Sequence, residues 1–557
     1  MGGFLSHLTP EQNVEALKAS CGPVRGNIYK HDDVIVDGYL GIPYAKPPVG
    51  ELRFKKPVTV DVWTEIKDCY KYGPACVQTG GFEQIAGPRT PTPEEAGCLT
   101  LNVFTPRNAS SEFKNGRPVM VYIHGGGYEL CASSDFCAYS LSGTLPLKDV
   151  VVVSINYRLG VFGFLTTGDN VCPGNFGLWD QTLALKWVQK HISSFGGDPN
   201  CVTVFGQSAG GASTDLLSLS PHSRDLFQRF IPISGTAHCD FAIRASENQA
   251  KIFREFAEFH GFSGRDSSAL FKWYQEQSPE TLSNVKGYKK SISGFLTFIP
   301  NLDGDFFPKP LDELRKEAPK KQMMTGVTEY EGLMLASMNP AFSPADVGLT
   351  LMPQGIYGKD VVSNPDEIQK IFYEKYVEGV DKSDELAMRK KLCEALGDEF
   401  FNVGVIQAAK NAAKHGNEVY FYTFEYVNPD SFGMWDGMMP FKAAVHCTEL
   451  RYLLGEGVYS KFEPTEEDRK VMETTTTLFS NFAKYGNPNG KGATAEIWEK
   501  YSLNRPERHY RISYPKCEMR DVYHEGRIQF LEKIDGDSDK YQNWSMERRS
   551  RQRFNFF

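Results

Sequence analysis

The chain has 557 residues, of which 41% are hydrophobic and 23% are charged, and its formal net charge is -8 at pH 7. This composition is typical of a globular protein with a large buried core, and the negative charge argues against nucleic acid as a partner. The longest apolar segment, DVVVVSINYRLGVFGFL, is interrupted by Asn156 and Arg158, so no segment reaches the roughly 18 residues of a membrane span.

The N-terminal segment MGGFLSHLTPEQNVEALKAS lacks the basic region and the apolar stretch of a secretory signal. We therefore expect a cytoplasmic protein, in which most of the 12 cysteines stay reduced. The segment MGGFLS also fits the pattern for myristoylation of Gly2, which would give a weak membrane association. The C-terminal segment ERRSRQRFNFF could add a basic patch as a second membrane signal, but a disordered, solvated tail is the preferred interpretation.

The segment VMVYIHGG (119–126) is typical of a buried strand that runs into glycines. Consecutive glycines, here Gly125, Gly126 and Gly127 after His124, let backbone N–H groups point into a site without obstruction by Cβ atoms. Such a loop supplies the donors for an oxyanion in lipases and esterases, but by itself it is equally typical of a flexible turn.

Two more strands and a helix follow in chain order. The segments VVVVSINYR (150–158) and VTVF (202–205) are apolar and rich in valine, so both predict buried strands. Between them, residues 175–192 place apolar side chains at helical spacing, and the Gly and Pro residues of 195–199 end this helix. Apolar strands that alternate with helices indicate an α/β fold, with a parallel sheet covered on both faces.

The segment Gly206-Gln207-Ser208-Ala209-Gly210 lies where a predicted strand meets a predicted helix. In this context the G-x-S-x-G pattern is typical of a sharp turn that raises the serine Oγ above the edge of the sheet. The helix would begin beside the serine with N–H groups that have no partner within the helix. The pattern predicts a nucleophilic serine, and the alternative is a glycine-rich turn with an incidental serine.

A nucleophilic serine needs a histidine as base and an acid that orients the histidine, and both follow the serine in this type of site. Physical reasoning alone does not choose among the histidines that follow Ser208, which are His222, His238, His260, His415, His446, His509 and His524. His446 lies in AAVHCTEL, an apolar approach to a polar loop that suits a partly buried base. Glu331 ends a strand-like run, as suits an acid above a parallel sheet, and Glu329 is its local competitor.

Together these motifs resemble the type-B carboxylesterase/lipase family of α/β hydrolases, which includes carboxylesterases, cholinesterases and the non-enzymatic neuroligins. The similarity extends from about Gly22 to about Phe530 and is carried by YLGIPYAKPPVGELRFKKP, CLTLNVFTP, VMVYIHGGGY, INYRLGVFGF, GNFGLWDQTLALKWV and FGGDPNCVTVFGQSAGG. The resemblance implies an α/β-hydrolase fold with a mostly parallel, twisted central sheet. It also implies one domain over residues 1–557, with a core of about 20–535 and short tails.

The resemblance also implies the roles of individual residues, by their position in the family's motifs. The nucleophile, the acid and the base of a catalytic triad would be Ser208, Glu331 and His446. The donors to the oxyanion would be the N–H groups of Gly126, Gly127 and Ala209. Ser234, in the segment PISG, matches a family serine that supports the acid. Because the triad is intact, the chain differs from the adhesion branch, whose serine is typically replaced.

The chain departs from the family pattern at two charged positions. The residue before the nucleophile is commonly Glu and is here Gln207, which should tune the electrostatics near His446 rather than abolish the chemistry. The acidic residue that usually pairs with the arginine of the RF motif is missing. Arg53 therefore loses this partner unless Glu94 or Glu95 moves into its place.

The cysteines and one loop depart from the pattern as well. Cys76 and Cys98 match the family's first disulfide pair, whereas the later family cysteines have no clear match. The loop CVQTGGFEQIAGPRT (76–90) lacks the tryptophan that cholinesterases use to bind the choline cation, so cholinesterase activity is not expected.

These observations predict an enzyme that hydrolyses a small-molecule carboxylic ester through an acyl-enzyme, with no metal and no organic cofactor. Two alternatives stay open. One is a catalytically silent, neuroligin-like binding protein, since a fold does not determine a function. The other is a membrane-attached lipid hydrolase, which Gly2 and the basic tail would allow.

Overall fold

A twelve-stranded sheet forms the centre of the molecule. The structure is a computed structural model, and it describes residues 10–78, 97–108, 110–291, 296–338, 370, 373–457, 463–491 and 496–529. The strands of this sheet are β1 (Glu11–Gln12), β2 (Asn27–His31), β3 (Val34–Pro43), β4 (Thr100–Pro106), β5 (Arg117–Ile123), β6 (Val151–Ile155), β7 (Gly197–Gln207), β8 (Arg229–Ile233), β9 (Gln322–Thr328), β10 (Glu418–Phe424), β11 (His509–Ile512) and β12 (Glu518–Arg520). Their spatial order is β1-β2-β3-β4-β6-β5-β7-β8-β9-β10-β11-β12.

The central strands of the sheet, from β6 to β11, are parallel, whereas the pairings at both edges are antiparallel. Within the parallel part, Val119 of β5 pairs with Val151 on one side and with Val202 on the other. The predicted α/β fold with a mostly parallel sheet is confirmed. The sequence analysis placed β5, β6 and part of β7 and noted a strand-like run at β9, but it did not place β1 to β4, β8 or β10 to β12. Strand β7 begins at Gly197 rather than at Val202, with a shift of register between the two.

Helices cover both faces of the sheet. The longer helices are α1 (Phe176–His191), α2 (Ala209–Leu219), α3 (Ser246–Phe259), α4 (Ser267–Glu276), α5 (Leu311–Glu317), α6 (Glu331–Met338), α7 (Glu385–Gly397), α8 (Val403–Lys414) and α9 (Glu466–Tyr485). Short helices comprise Ala138–Ser142, Gly160–Phe164, Pro279–Ser283 and Leu450–Leu454. A π-helical turn, Asp398–Asn402, joins α7 to α8. Helix α1 agrees with the helix predicted over 175–192.

Alternate side chains of each strand pack into different cores because successive Cβ atoms of a strand point to opposite faces. On β5, Val119, Val121 and Ile123 belong to the core that includes α1 and α2, whereas Met120 and Tyr122 belong to the core that includes α9. Both faces of the parallel strands are therefore apolar. The loops after β5, β7 and β9 meet at the carboxyl ends of these strands, which is where α/β sheets usually place their functional groups.

Arg53 has partners other than the acidic residues considered from the sequence. Its Nη1 donates to the backbone oxygens of Gln275, at 3.1 Å, and of Gln277, at 2.6 Å. These oxygens lie at the C-terminal end of α4, where a cation suits the negative end of the helix dipole. Glu94 and Glu95 lie outside the described residues.

A disulfide bond joins Cys76 and Cys98, whose Cα atoms are 4.9 Å apart. Several features considered from the sequence lie outside the described residues, namely Gly2, the basic C-terminal segment and residues 79–90 of the loop without a tryptophan. Across the part of the chain that the structure describes, no helix is both long enough and apolar enough to cross a membrane.

Candidate active site

Ser208 lies at the turn between β7 and α2, with a backbone φ of 59° and ψ of -125°. This conformation is strained for a residue that carries a Cβ atom. Small residues are needed around the turn because backbones meet there. A Cβ atom at Gly206 would lie 2.7 Å from the oxygen of Ile123, and a Cβ atom at Gly211 would lie 2.7 Å from the oxygens of Gly235 and Ile233. Close packing of β5, β7, β8 and α2 thus explains the glycines around Ser208.

The loop after β5 brings two further glycines to the same place. Gly126 and Gly127 have φ values of 92° and 62°, which favour glycine. A Cβ atom at Gly126 would lie 2.8 Å from the carbonyl carbon of Leu130, so a side chain at this position would collide with the backbone. Gly126, Gly127 and Ser208 line one cavity, and Ala209 begins helix α2 directly after the serine. The predicted oxyanion donors thus lie in the loop after β5 and at the first residue of α2, next to the predicted nucleophile.

Glu331 is the first residue of α6, directly after β9, and its side chain is fully buried. Its Oε1 accepts hydrogen bonds from the Oγ of Ser234 and from the backbone N–H of Thr328, each at 2.6 Å. Its Oε2 lies 2.5 Å from the Nδ1 of His446. A carboxylate in this position accepts a hydrogen bond from the N–H group of Nδ1, so that the other ring nitrogen, Nε2, is left as the basic atom.

His446 is buried between two side chains that fix its ring. The ring of Phe401 lies against the imidazole, with the ring centroids 4.4 Å apart. The amide Nε2 of Gln207 lies 3.2 Å from the Nε2 of the histidine. His446 and Ser208 line the same cavity. The neutral amide of Gln207 therefore faces the histidine.

The competing acid lies elsewhere. The backbone N–H of Glu329 bonds to Phe424, and burial together with the nearby charge of Glu425 raises the pKa of its carboxyl group to about 7. Among the described residues that line the cavity of Ser208, His446 is the one histidine that also follows Ser208 in the chain. The geometry therefore groups Glu331 and His446 with Ser208, and it does not group Glu329 with them.

The cavity that contains these groups has mainly apolar walls. Leu130, Phe241, Leu296, Met334, Leu335 and Phe401 are among the side chains that line it. Within the described ranges, no group of three or more His, Cys, Asp or Glu side chains is arranged to hold a metal ion. The arrangement can attack a carbonyl carbon with the serine, take up the proton with the histidine and hold an oxyanion on backbone N–H groups. Apolar walls suit an apolar acyl or alcohol group.

Sequence reasoning missed three side chains at this site. Phe401 lies in the π-helical turn, which no local sequence pattern predicted. Cys447 follows the histidine with a φ of 72°, and Glu449 is buried close to Ser234 and Glu331. Burial raises the pKa of Glu449 well above its usual range, and the charge of Glu331 raises it further. The segment HCTEL places Cys447 and Glu449 within three residues of His446. The sequence alone could therefore have indicated that both side chains lie near the histidine.

Comparison with known proteins adds an independent observation. Residues 13–531 match the family model described as "Carboxylesterase family". The chain is 34% identical over 501 residues to "Fatty acyl-CoA hydrolase precursor, medium chain" of Anas platyrhynchos, covering 87% of this chain and 86% of that protein. It is 33% identical over 493 residues to "Carboxylesterase 1F" of Mus musculus, covering 83% and 84%. It is 31% identical over 517 residues to "Cholinesterase" of the same organism, covering 87% and 82%.

Proposed function

The chain belongs to the carboxylesterase family and is a carboxylic ester hydrolase, and we propose that it works through an acyl-enzyme formed on Ser208. The observation that carries this mechanism is the contact of 2.5 Å between Glu331 and the Nδ1 of His446, in the cavity that also contains Ser208. The contact leaves Nε2 of His446 basic, as a general base for a serine must be.

The proposed reaction has two halves. His446 takes the proton of Ser208 as its Oγ attacks the ester carbonyl, and the oxyanion that forms is held by the N–H groups of Gly126, Gly127 and Ala209. Glu331 holds the ring and stabilises the imidazolium. The imidazolium gives its proton to the leaving alcohol, and the acyl group stays on the serine. Water, deprotonated by the histidine, then attacks the acyl-enzyme, releases the acid and restores the serine.

The supporting residues act on the orientation of the acid. Ser234 and the N–H of Thr328 hold one oxygen of Glu331, so that its other oxygen is directed at the histidine. Such hydrogen bonds keep a buried carboxylate charged and in place. In this proposal Ser234 and Thr328 make no contact with the substrate.

The substrate that we propose is a neutral ester with an apolar acyl group. The walls of the cavity are apolar, and a small number of polar groups lies near Ser208, as is usual for a site that binds an apolar molecule. The relatives include proteins named as a fatty acyl-CoA hydrolase and a cholinesterase. A coenzyme A leaving group, which is negatively charged, is a less suitable candidate for this chain, because the carboxylates of Glu129 and Asp135 also line the cavity.

The test is hydrolysis of p-nitrophenyl esters of increasing acyl length by the wild type and by Ser208→Ala. Removal of the nucleophile should lower kcat by about 10⁶-fold. Ser193→Ala, at an exposed serine, is the matched control and should retain full activity. A fluorophosphonate should label the wild type and the control but not Ser208→Ala.

Two outcomes would contradict the proposal. If neither the esters nor the fluorophosphonate react with the wild type, the chain is a silent binding protein that has kept the residues of an enzyme. If Ser208→Ala hydrolyses the esters as fast as the wild type, another group is the nucleophile. Labelling of Ser208 without hydrolysis would retain the proposed mechanism and indicate a narrower substrate.

A further inference from the structure

Cys447 directly follows His446, and its backbone has a φ of 72°. This left-handed conformation is usual for glycine and uncommon for a residue with a Cβ atom. The side chain that this backbone carries makes a specific contact, because the Sγ of Cys447 lies 3.1 Å from the Oε1 of Gln207. A thiol thus links the residue after the histidine to the residue before the nucleophile.

The contact determines which end of the Gln207 amide faces the histidine. An amide has an oxygen that accepts hydrogen bonds and an NH₂ group that only donates them. With Oε1 directed at the thiol, the NH₂ group is directed at His446, and its nitrogen lies 3.2 Å from the Nε2 of the ring. A different rotation of the amide would place the oxygen against the ring.

The two orientations favour different protonation states of the ring. Because the N–H group of Nδ1 donates a hydrogen bond to Glu331, the Nε2 of the neutral ring keeps a lone pair for the proton of Ser208. The amide nitrogen of Gln207 lies 3.2 Å from Nε2 and 3.4 Å from Nδ1, so the partial positive charge of its NH₂ group lies beside both ring nitrogens. The imidazolium, whose positive charge is shared by both nitrogens, would meet the same NH₂ group unfavourably. An amide oxygen in that place would instead stabilise the imidazolium. The observed orientation therefore favours the neutral ring, which is the form that acts as a base.

We propose that Cys447 is a positioning residue for the esterase reaction, and that its thiol holds the amide of Gln207 with the NH₂ group toward His446. The inference rests on the proposed function, in which His446 is the general base. It explains why a strained position is occupied by a residue with a side chain, since glycine would relieve the strain but provide no donor.

Further titratable groups lie near His446 and Cys447. They are Glu331 on α6, Glu449 on the loop after the histidine, the thiol of Cys131 on the loop after β5 and Tyr122 on β5. Burial raises the pKa of Cys447 well above its usual range, and the charges of Glu449 and Glu331 raise it further. The thiol therefore keeps the proton that it donates at neutral pH.

The test compares Cys447→Ala with Cys447→Ser through the pH profile of kcat/KM for a p-nitrophenyl ester. Both variants keep a Cβ atom at the strained position, but only serine keeps a donor. We expect the acid limb of the profile to move to higher pH by about half a unit in Cys447→Ala, as loss of one modest hydrogen bond should cause. Cys447→Ser should keep the profile of the wild type. A merely structural role would change the unfolding temperature and the amount of active enzyme but not the position of this limb.

A second pair of variants tests whether the thiol acts through Gln207. In the background Gln207→Met, which has no amide, Cys447→Ala should cause no further shift of the acid limb. The inference is overturned if Cys447→Ala keeps the wild-type profile, if serine and alanine shift it equally, or if the shift persists in the Gln207→Met background. A wild type that hydrolyses no ester and binds no fluorophosphonate would overturn the proposed function and this inference with it. An active wild type with unshifted variants would overturn the inference alone.

Discussion

The ring of Phe401 lies against the imidazole of His446, with the two ring centroids 4.4 Å apart. Phe401 is carried by the π-helical turn between α7 and α8, and such turns are frequent at functional sites. Two hydrogen bonds stabilise the turn, because Asp398 accepts one from Tyr376 and one from Arg527, each at 2.8 Å. The position of Phe401 beside the proposed base thus depends on the ion pair of Asp398 and Arg527, neither of which is among the described residues that line the cavity.

Replacement of Phe401 by leucine should loosen the histidine and widen the cavity. We expect Phe401→Leu to lower kcat/KM by about tenfold for acetyl esters, because a small misplacement of a reacting group is costly. Esters of longer acids, which can fill the space, should lose less. The matched control is Phe400→Leu, at a neighbouring buried ring that is not among the described residues lining the cavity. It should destabilise the fold to a similar extent, yet leave the ratio of rates for long and short esters unchanged. If Phe401→Leu and Phe400→Leu gave the same ratio of rates for long and short esters, this role of Phe401 would be contradicted.

The charge of Glu331 should matter more than the hydrogen bond from Ser234. Glu331→Gln keeps the shape of the side chain but cannot stabilise an imidazolium, so kcat should fall by about 10⁴-fold. Ser234→Ala leaves the charge and the N–H of Thr328 in place, and a loss of about tenfold is expected for one hydrogen bond to a charged group. Steady-state kinetics at equal concentrations of folded protein would measure both. If Glu331→Gln kept a tenth of the wild-type rate, Glu331 would not be the acid of the triad.

A methyl group at Gly127 should affect the reaction rather than binding. The φ of 62° is strained for alanine, and the new Cβ atom would lie 3.0 Å from Leu296, so the backbone N–H should turn away from the oxyanion. We expect kcat to fall by about 10²-fold with little change in KM, since the donor acts mainly in the transition state. Gly304→Ala is the control, because Gly304 has a φ of 73° and an added Cβ atom would have no neighbour within 4 Å. A similar loss of rate in both variants would assign the effect to backbone strain alone.

Glu449 should make the stability of the protein depend on pH. Its pKa is raised well above the ordinary value of 4.5 in the folded state, because burial disfavours the charged form. Below pH 4.5 both the folded and the unfolded states hold the proton, so Glu449 contributes no pH dependence to the free energy of unfolding. Above this pH the unfolded state loses the proton while the folded state keeps it, so stability falls by up to about 1.4 kcal/mol per pH unit, until the folded-state pKa is reached.

Glu449→Gln should remove this loss, since an amide does not titrate. The urea midpoint of the variant should exceed that of the wild type by more at pH 8 than at pH 5. The exposed Glu258→Gln should give the same difference from the wild type at both pH values. A constant difference for Glu449→Gln would show that its carboxyl group does not stay protonated in the folded protein.

The turn at Ser208 and the glycine loop could be predicted from sequence because each is encoded by a few adjacent residues. The strand, the turn and the first residues of the helix leave a local pattern, and the structure places them as expected. The partners of the serine leave no such pattern. Glu331 and His446 are 115 residues apart in the chain, and only the resemblance to a family singled them out. The segment around His446 suits a partly buried base, but it does not by itself select this histidine from the others after the serine.

The contacts that the sequence did not reveal arise from tertiary packing. The π-helical turn at Phe401 and the contact between Cys447 and Gln207 form only when separate segments meet above the sheet. The strands β1 to β4, β8 and β10 to β12 were also missed. The strands that were predicted, β5, β6 and β7, contain consecutive apolar residues, whereas most of the missed strands are short or include polar residues. Runs of consecutive apolar residues are therefore the part of this fold that a single sequence makes most visible.

The backbone conformation of Ser208 lowers the stability of the fold, although the proposed reaction requires a serine at this position. A residue at φ 59° and ψ -125° costs about 1–3 kcal/mol unless it is glycine. Ser208→Gly should therefore give a protein that is inert but more resistant to unfolding than the wild type. In a related protein that no longer needed the reaction, replacement of this serine by glycine would increase the stability of the fold. The strain at Ser208 is thus an energetic cost that the proposed reaction places on every folded molecule, whether or not substrate is present.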